Sequence, residues 1–560
     1  MEVLRVGTNI KVNVEGVGEL IVNEGSTLQE VAIRAYGNDY KKYLGARINN
    51  EVYHLHKKAK DRMNIKFLDI SHEDGYRIYT RTITLVFIMA CKELFPENTV
   101  TIEQFLGKGL YAAFEDGKSI SFSDIENIKE KMVEIVEKDL DIKREKLPSN
   151  EGISLFEKHG HHDKVRLYKT LDKEEISIYR VGDYVDGFHG FLAPSTGYVK
   201  LFDLKYYYPG AIILFPTPES KDKIPVFKEQ KKLAKVFDEA NRWAHILDLA
   251  YVGSLNEKIL NGDIGEVIRV NEALHEKKIG KIADLICEDD DINIILVAGP
   301  SSAGKTTFAQ RLAVHLRVNG KRPIAISVDD YFVDRERTPR KEDGQYDFES
   351  IEAIDLKRLN EDLIALLEGH EVELPKFNFI TGRSERSGRK IRVDKDHPII
   401  VEGIHGLNPK LTAHIPDKNK FKIYISALTQ LNIDAHNRIS TTDTRLIRRM
   451  VRDYKFRGND IFRTFELWEG VVEGEGINIF PYQEEADIMF DTALVYELSV
   501  LKKYAVPLLK QIDKSSPYYS ESKRLLKFLD YFLTIEDEST IPANSILREF
   551  IGGADINVHK

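Results

Sequence analysis

The sequence predicts a multidomain protein of mixed α/β and α+β class, with a doubly wound parallel sheet in its C-terminal part. Three observations support this prediction. The chain has 560 residues, more than one hydrophobic core ordinarily organises. After about residue 290, short β-branched runs alternate with helical segments. Between the first of these runs and the next helix lies a glycine-rich loop, Gly299–Thr306.

The first half of the chain divides by pattern into three segments. Residues 1–70 alternate as short strands around one helix. Residues 71–215 carry two predicted helices, at Arg81–Glu93 and Ser123–Lys138, followed by a turn-rich β segment. Residues 216–290 have apolar residues at three- and four-residue spacing, which predicts a helical connector.

The C-terminal half contains the predicted parallel sheet in residues 291–515, followed by a helical extension in residues 516–560. Four β-branched runs are typical of buried strands, namely Ile292–Ala298, Pro323–Val328, Pro398–Val401 and Phe421–Ser426. In a doubly wound sheet the carboxyl ends of the strands line the ligand crevice. Polar residues that directly follow these runs are therefore candidates for a functional site.

Composition argues against several classes of protein. A net charge of -9 gives no support to a broad nucleic-acid-binding surface. The two cysteines, Cys91 and Cys287, lack metal-ligand spacing, so we expect neither a disulfide framework nor a zinc cluster. The first residues lack the pattern of a signal peptide, and the longest apolar runs are too short to cross a bilayer. We expect a cytoplasmic protein without a membrane segment.

The glycine-rich loop reads Gly-Pro-Ser-Ser-Ala-Gly-Lys-Thr and has the spacing of a phosphate-binding loop. Its glycines let consecutive backbone N–H groups face phosphate oxygens. Lys305 supplies a cation for the β- and γ-phosphates, and the hydroxyl of Thr306 suits Mg²⁺. The predicted nucleotide-binding residues of the loop are Gly299, Ser301, Ser302, Ala303, Gly304, Lys305, Thr306 and Thr307. We therefore expect the chain to bind ATP or GTP together with Mg²⁺.

Two carboxylates and a run of arginines follow the other strands. Asp329 ends the second strand, where it is either the proton acceptor of a phosphoryl transfer or a turn residue. Glu402 ends the third strand and is predicted to orient Mg²⁺ or its water. Arginines at three- and four-residue spacing then share one helix face, namely Arg445, Arg448, Arg449 and Arg452. This face is either solvated or part of a closing lid that neutralises the transferring phosphoryl group.

Four motifs in order resemble the uridine kinase and phosphoribulokinase family of P-loop kinases, over about residues 290–510. They are the phosphate loop, Ser327–Phe332, Val401–Ile404 and the arginine segment Asp443–Asp453 with a trailing Arg457-Gly458. The late Glu485–Ile488 is similar to another strand of that family. The resemblance implies a P-loop kinase fold, with ATP and Mg²⁺ as cofactors.

The same resemblance implies roles for individual residues. Asp329 falls at the general base, and Asp347 falls where uridine kinases hold the ribose hydroxyls. The implied catalytic set is Asp329, Lys305, Arg445 and Arg448. Arg452 and Arg457 join the ATP-binding set, while Asp347, Phe377 and Arg445 form the substrate-binding set. Thr306 and Glu402 are the implied Mg²⁺ residues, with Glu402 in direct contact or acting through water.

The nucleobase end departs from the family pattern. Phe377 stands in place of a tyrosine, and Asn378 stands in place of an aspartate. The expected base-recognising histidine falls at about Gly382, and a base-binding glutamine falls near Arg463. A site built to hydrogen-bond a pyrimidine loses affinity without those groups. The resemblance implies a kinase for the 5′-hydroxyl of uridine, cytidine or a related nucleoside, and these departures make another sugar-like alcohol the alternative acceptor.

The N-terminal half resembles parts of threonyl-tRNA synthetase. Residues 1–70 are similar to a TGS domain of β-grasp fold, and residues 71–215 are similar to the synthetase domain that hydrolyses mischarged tRNA. The segments that carry this second resemblance are Leu94–Pro96, Gly109–Phe114, Asp139–Arg144, Ser177–Arg180 and Ala193–Gly197.

The editing residues of that domain do not recur. Its His-x-x-x-His pair falls on Arg81 and Leu85, and its Cys-x-x-x-His pair falls on Phe188 and Leu192. Ester hydrolysis by the same mechanism is therefore not expected. Three further histidines form a turn-like cluster that we expect to be solvated rather than metal-binding, namely His159, His161 and His162.

Two functions follow from these patterns. The first is a nucleoside kinase that acts on a small-molecule substrate and forms a homo-oligomer. The second is a nucleotide-switched regulatory protein associated with RNA, tRNA or the ribosome. A compromise is an N-terminal half that only packs on the kinase or oligomerises it.

Overall fold

The computed structural model describes residues 9–342, 344–378, 381–394, 397–429 and 431–556. The N-terminal unit is a mixed five-stranded sheet in the order β2-β1-β5-β3-β4, crossed by one helix. Its elements are β1 (Asn9–Val14), β2 (Gly18–Asn23), α1 (Leu28–Tyr36), β3 (Gly45–Ile48), β4 (Glu51–Tyr53) and β5 (Met63–Leu68). Helix α1 begins with a capping box in which Thr27 and Glu30 bond each other's backbone. These strands around one helix confirm the predicted α+β unit.

The next region combines a four-stranded sheet, a three-stranded sheet and four helices within its described residues. The helices are α2 (Glu73–Leu94), α3 (Phe122–Glu137), α4 (Ser149–Lys158) and α5 (His162–Lys169). The strands are β6 (Val100–Leu106), β7 (Gly109–Phe114), β8 (Lys143–Pro148), β9 (Glu175–Val181), β10 (Tyr184–Asp186), β11 (Asp203–Tyr207) and β12 (Gly210–Leu214). One hydrophobic core joins this region to the N-terminal unit.

Helix α2 begins at Glu73 rather than at the predicted Arg81. Gly75 lies inside its first turn, where a glycine normally weakens a helix. A Cβ at Gly75 would lie 1.8 Å from the carbonyl oxygen of Asp69, so the preceding turn packs directly on the helix there. The low helix propensity of Gly75 led to a predicted start at Arg81. Tertiary packing overrides this propensity and lets α2 begin at Glu73.

The C-terminal half is built on a five-stranded sheet in the order β14-β17-β13-β18-β19, in which every recorded pairing is parallel. These strands are β13 (Ile294–Ala298), β14 (Ile324–Ser327), β17 (Ile399–Glu402), β18 (Lys420–Ser426) and β19 (Ile488–Asp491). A hairpin of β15 (Val372–Asn378) and β16 (Arg383–Ile391) precedes β17. The predicted doubly wound parallel sheet is confirmed.

Helices cover both faces of this sheet. The helices described in this half, on the sheet or packed on one another, are α6 (Lys231–Ile246), α7 (Val252–Leu260), α8 (Ile264–Cys287), α9 (Lys305–Val318), α10 (Leu356–Leu367), α11 (Thr441–Phe456), α12 (Ile461–Asn478), α13 (Glu497–Leu509), α14 (Tyr519–Leu529) and α15 (Arg548–Ile551). Along β13, Ile295 and Val297 enter one core, while Ile294 and Leu296 enter the other. This alternation explains why both faces of β13 are apolar.

The segments predicted as a connector and an extension pack as parts of the C-terminal half. Ile268 and Ile279 of α8 share a core with Phe308 of α9. Leu525 of α14 and Phe550 of α15 belong to the same core. After α14 the chain is mostly irregular until α15. The domain boundaries themselves stay predictions. Among the described helices, we find none with both the length and the apolar character needed to span a membrane.

Candidate active site

The phosphate loop joins β13 to α9 at the carboxyl edge of the parallel sheet. Gly299 approaches the neighbouring strand so closely that a Cβ would lie 2.1 Å from the carbonyl oxygen of Ile425. Gly304 has a φ of +85°, a left-handed conformation that favours glycine. Lys305 donates to the carbonyl oxygens of Gly299 and Pro300, at 3.0 and 3.1 Å. The loop therefore has the curled backbone predicted for it.

Three oxygen-bearing side chains meet beside the loop. The hydroxyls of Thr306 and Ser327 lie 3.4 and 3.3 Å from Oε1 of Glu402. Parallel pairing of β14 with β17 places Ser327 opposite Glu402. Mg²⁺ binds hydroxyl and carboxylate oxygens of this kind, so the residues present fit the ion. Ser327 was not among the predicted site residues, although its strand-end position was a usable signal.

Glu402 has an unusual protonation equilibrium. Burial, and then the charge of Asp329, raise the pKa of Glu402 to about 7, while Lys305 opposes the shift. Burial in turn lowers the pKa of Lys305, against the opposing charges of Glu402 and Asp329. The site is therefore short of positive charge near this carboxyl group, which suits the arrival of a divalent cation.

This pKa predicts a pH-dependent effect of Glu402→Gln on the stability of the metal-free protein. The folded pKa of Glu402 lies above the unfolded value, so the native state loses stability as pH rises from about 4.5 to about 7. A neutral glutamine escapes this loss. We expect Glu402→Gln to melt at a higher temperature than the wild type at pH 8, and the difference to shrink towards pH 4.5. Melting curves across this range measure it. Glu536→Gln, at an exposed position, is the matched control. A difference in melting temperature between Glu402→Gln and the wild type that does not change with pH would contradict the raised pKa of Glu402.

Asp329 lies just after β14, on the open side of the same edge. Its charge acts on Lys305, on Glu402 and on the guanidinium of Arg457. The residue predicted as general base thus lies among the groups predicted to bind phosphate and metal. Asp329 also lies in a single 3-10 turn, Val328–Tyr331, so its role as the general base stays a prediction.

The arginine helix α11 is neither a solvated face nor a free lid, the two arrangements considered from the sequence. Its residues Asp443–Asp453 are all buried. Arg445 donates to both carboxylate oxygens of Glu475, at 2.5 and 2.7 Å, and to the carbonyl oxygen of Ser301 at 3.1 Å. A buried guanidinium needs such a partner, because an unpaired buried charge is costly.

Arg448 is held in the same way. It pairs with the carboxylate of Glu497, and it donates to the carbonyl oxygens of Thr492 and Ser302, at 2.9 and 3.4 Å. Arg445 and Arg448, both predicted to be catalytic, therefore support the phosphate loop through its carbonyl groups. Their carboxylate partners are distant in sequence and were not predicted.

Three other arginines gather around the buried carboxylate of Asp453. Arg452, Arg449 and Arg457 lie 2.8, 3.3 and 3.9 Å from its oxygens. Arg449 also donates to the hydroxyl of Ser301 at 2.9 Å. Repulsion from Arg452 lowers the pKa of Arg457, and burial lowers the pKa of Arg449. The charge of Asp329 also acts on Arg457, and the charge of Glu349 acts on Arg449. Three guanidinium groups gathered at one point are suited to bind an incoming anion. Arg449 is a site residue that the predicted set missed.

Two of the predicted substrate residues, Asp347 and Phe377, have separate partners in the structure. The carboxylate of Asp347 accepts a hydrogen bond from the backbone N–H of Glu349 at 3.2 Å. Burial, and then the charge of Glu475, raise the pKa of Glu349 to about 7. Phe377 on β15 is buried, and its ring centroid lies 5.5 Å from that of Phe332. Phe377 is thus part of a hydrophobic contact between the hairpin and the strand-end motif.

The positions aligned with base-recognising residues differ in structure as well as in identity. Gly382 has a φ of +71°, and a Cβ there would lie 2.8 Å from Nε of Arg335. The guanidinium of Arg335 therefore fills the space beside Gly382. Arg463 is exposed and pairs with Glu466 at 2.7 Å. Neither position offers the groups that the family uses for a pyrimidine.

A buried histidine that was not predicted follows Glu402. His405 lies close enough to Lys305 for the two charges to interact, and burial lowers the pKa of His405 to about 4. The imidazole is therefore neutral near pH 7. Its position directly after the motif Val401–Ile404 was a usable signal in the sequence.

Two comparisons with known proteins concern the C-terminal half. Residues 294–498 match the Phosphoribulokinase / Uridine kinase family model. We call this part of the chain the kinase-family segment. Among solved structures, the chain is similar to a "Possible Uridine Kinase" from Bacillus stearothermophilus, with 18% identity and a TM-score of 0.26, over 38% of this chain and 98% of that one.

The N-terminal region matches curated threonine–tRNA ligases. The ligase of Acetivibrio thermocellus is 33% identical over 183 residues, which are 32% of this chain and 29% of the ligase. The ligase of Carboxydothermus hydrogenoformans is 34% identical over 182 residues, again 32% of this chain and 29% of the ligase. The chain thus spans less than a third of the length of these relatives. We call residues 71–215, whose motifs carry the resemblance to the ligase editing domain, the ligase-like region.

The positions aligned with the editing residues are filled by the core of the ligase-like region. Phe188 and Leu192 are buried in its core, as is Leu85. Arg81 donates from Nε to the carbonyl oxygen of Phe191 at 2.9 Å, and burial lowers the pKa of Arg81 to about 10. Its guanidinium fills space beside Gly190, where a Cβ would lie 2.5 Å away. No group at these four positions can activate water.

One of the three clustered histidines is not solvated as expected. His161 bonds the carbonyl oxygen of Val185 at 2.8 Å and lies within reach of Asp186 and His436, a grouping that could in principle hold a metal ion. The ammonium of Lys164 already lies 3.2 Å from Oδ1 of Asp186. The ammonium of Lys164 therefore occupies the position that a metal ion would take. This cluster lies between the ligase-like region and the kinase-family segment.

Proposed function

We propose that this protein is an ATP- and Mg²⁺-dependent kinase that phosphorylates the 5′-hydroxyl of uridine, cytidine or a related nucleoside. The observation that supports this most is the convergence of Lys305, Asp329 and Glu402 beside the phosphate loop. Glu402 ends β17, Asp329 follows β14, and Lys305 begins α9 after the loop that follows β13, all in the same parallel sheet unit. The family match over residues 294–498 supports the same class of chemistry.

The roles follow from position. Loop amides and Lys305 would hold the phosphates, and Thr306, Ser327 and Glu402 would hold Mg²⁺ directly or through water. A nucleoside triphosphate supplies the phosphoryl group, and Mg²⁺ neutralises part of its charge. Asp329 accepts the proton of the attacking hydroxyl.

The arginines divide into two groups in this proposal. Arg449, Arg452 and Arg457 stabilise negative charge as it develops during transfer. Arg445 and Arg448 act as positioning residues that fix the loop. Asp347 holds the ribose hydroxyls, and Phe377 shapes the wall beside them. Assembly into a homo-oligomer and a cytoplasmic location stay predictions.

A radiolabelled transfer assay tests the proposal. ATP labelled on the γ-phosphate is offered with Mg²⁺ to a panel of nucleosides, sugars and polyols. We expect a labelled 5′-monophosphate from a nucleoside, and no product with Lys305→Ala, whose circular dichroism should match the wild type. Labelling of a sugar-like alcohol alone would reject the nucleoside acceptor and keep the kinase. ATP binding without transfer to any acceptor in the panel would reject the kinase.

Similarity of the ligase-like region to threonine–tRNA ligases favours a second candidate, a nucleotide-switched regulator that binds tRNA. Gel retardation of tRNA at several salt concentrations tests it, because phosphate contacts give a steep salt dependence. Absence of retardation at moderate ionic strength would remove this candidate.

A further inference from the structure

The last part of the chain packs directly on the phosphate loop. We define the C-terminal strap as residues 545–551, which include α15. Ile546, Leu547 and Phe550 are buried in the core of the kinase-family segment. The hydroxyl of Ser545 donates to Glu272 at 2.5 Å, and Lys455 donates to the carbonyl oxygen of Ile551 at 2.6 Å. Both ends of the strap are therefore fixed.

Two strap residues touch the loop itself. A Cβ at Gly304 would lie 2.6 Å from Cγ2 of Ile546, so this side chain covers the loop glycine. Glu549 accepts hydrogen bonds from the hydroxyl of Thr307 at 2.7 Å and from its backbone N–H at 3.3 Å. The side chain of Glu549 is buried.

The contacted amide is one that phosphate uses. Thr307 lies in the first turn of α9, where backbone N–H groups lack intrahelical partners. In a phosphate loop these amides cradle the α- and β-phosphates. The charge of Glu549 also acts on Lys305 and Glu402, so its carboxylate lies within electrostatic range of the predicted phosphate site.

We propose that Glu549 competes with the nucleotide phosphates for the first turn of α9. While the loop is empty, the carboxylate of Glu549 accepts hydrogen bonds from the backbone N–H and the hydroxyl of Thr307. When a nucleotide binds, the carboxylate leaves Thr307 and phosphate takes its place. This inference rests on the proposed nucleotide site. The strap backbone stays in place because its apolar residues are buried, so only the glutamate side chain moves. A carboxylate at a helix N-terminus stabilises the empty state. Two like charges in a partly dehydrated pocket repel, so nucleotide affinity is lower than the loop alone would give.

Glu549→Gln tests the proposal. Glutamine keeps the size of the side chain and removes its charge. By calorimetric titration, we expect the variant to bind ADP about tenfold more tightly, a difference of ~1.4 kcal/mol. Adenosine, which has no phosphate, should bind both proteins equally. Glu536→Gln makes the same charge change at an exposed position near the strap and should leave ADP affinity unchanged.

Other outcomes separate the alternatives. Weaker ADP binding by Glu549→Gln would make Glu549 part of the nucleotide site and overturn the proposal. Unchanged ADP affinity with a lower melting temperature would make it a structural cap only, and would also overturn it. Should Glu549→Gln fold poorly, Glu549→Asp is the second variant, because it keeps the charge but is too short to reach Thr307. Saturating ADP should then raise the melting temperature of Glu549→Asp by more than it raises that of the wild type. Failure of every variant and of the wild type to bind ADP or ATP would instead reject the proposed kinase.

Discussion

Asp329→Asn is expected to lower kcat for phosphoryl transfer by about 10²- to 10⁴-fold, the usual contribution of a general base. The carboxamide matches the carboxylate in shape but cannot accept a proton. Asp329 lies on the open side of the site, so its replacement leaves the core intact. KM for ATP should change little, because the loop and Lys305 hold the phosphates. Steady-state kinetics with the acceptor found in the transfer assay measures both parameters.

Asp330→Asn is the matched control for this prediction. It makes the same replacement of a carboxylate oxygen by an amide nitrogen in the adjacent residue, and we place Asp330 in no catalytic role. Its kcat should stay within about twofold of the wild type, whereas a wild-type kcat in Asp329→Asn would show that another group accepts the proton. A rise in KM for ATP without loss of kcat would move Asp329 from proton transfer to metal or nucleotide binding.

Lys164→Met is expected to destabilise the protein by about 3–5 kcal/mol, the cost of breaking a buried ion pair from one side. The ammonium is fully buried and lies 2.9 Å from Oδ1 of Asp434 and 3.2 Å from Oδ1 of Asp186. Burial alone would lower the pKa of Lys164, but the charges of Asp186 and Asp434 raise it. Methionine fills similar volume and leaves both carboxylates without this cation. Chemical denaturation measures the loss.

Two further variants make the prediction specific. Lys158→Met, at an exposed position on α4, should change the free energy of unfolding by no more than about 0.5 kcal/mol. The double variant Lys164→Met/Asp434→Asn should recover part of the loss, because it removes one of the stranded charges. A loss below about 1 kcal/mol for Lys164→Met would show that water or His436 compensates the two carboxylates.

The parts of this fold that the sequence could predict are those specified locally. The strands of the parallel sheet, the loop between β13 and α9, and the carboxylates after β14 and β17 follow from short periodic patterns and fixed spacing. The predicted strand limits differ from the observed ones by only a residue or two, as at Ile294–Ala298.

What could not be predicted depends on long-range partners. Arg445 looked exposed because its helix is rich in charge, and only Glu475, 30 residues later, makes its burial tolerable. Glu549 reaches Thr307 across 242 residues. Lys164 meets Asp434 across 270 residues. No periodicity encodes such pairs, so the positioning of the loop and the join between the halves had to come from the structure.

The buried charges between the two halves also bear on how this chain can change by recombination. Lys164 is contributed by the ligase-like region, and Asp434 by the kinase-family segment. Nearby, the backbone N–H of Ile102 bonds the carbonyl oxygen of Ala435 at 2.8 Å. If one half is exchanged for a homologous one that lacks its member of this ion pair, the remaining member, Lys164 or Asp434, stays buried in the interface without an opposite charge. An exchange that keeps the interface neutral therefore has to include both members of this ion pair.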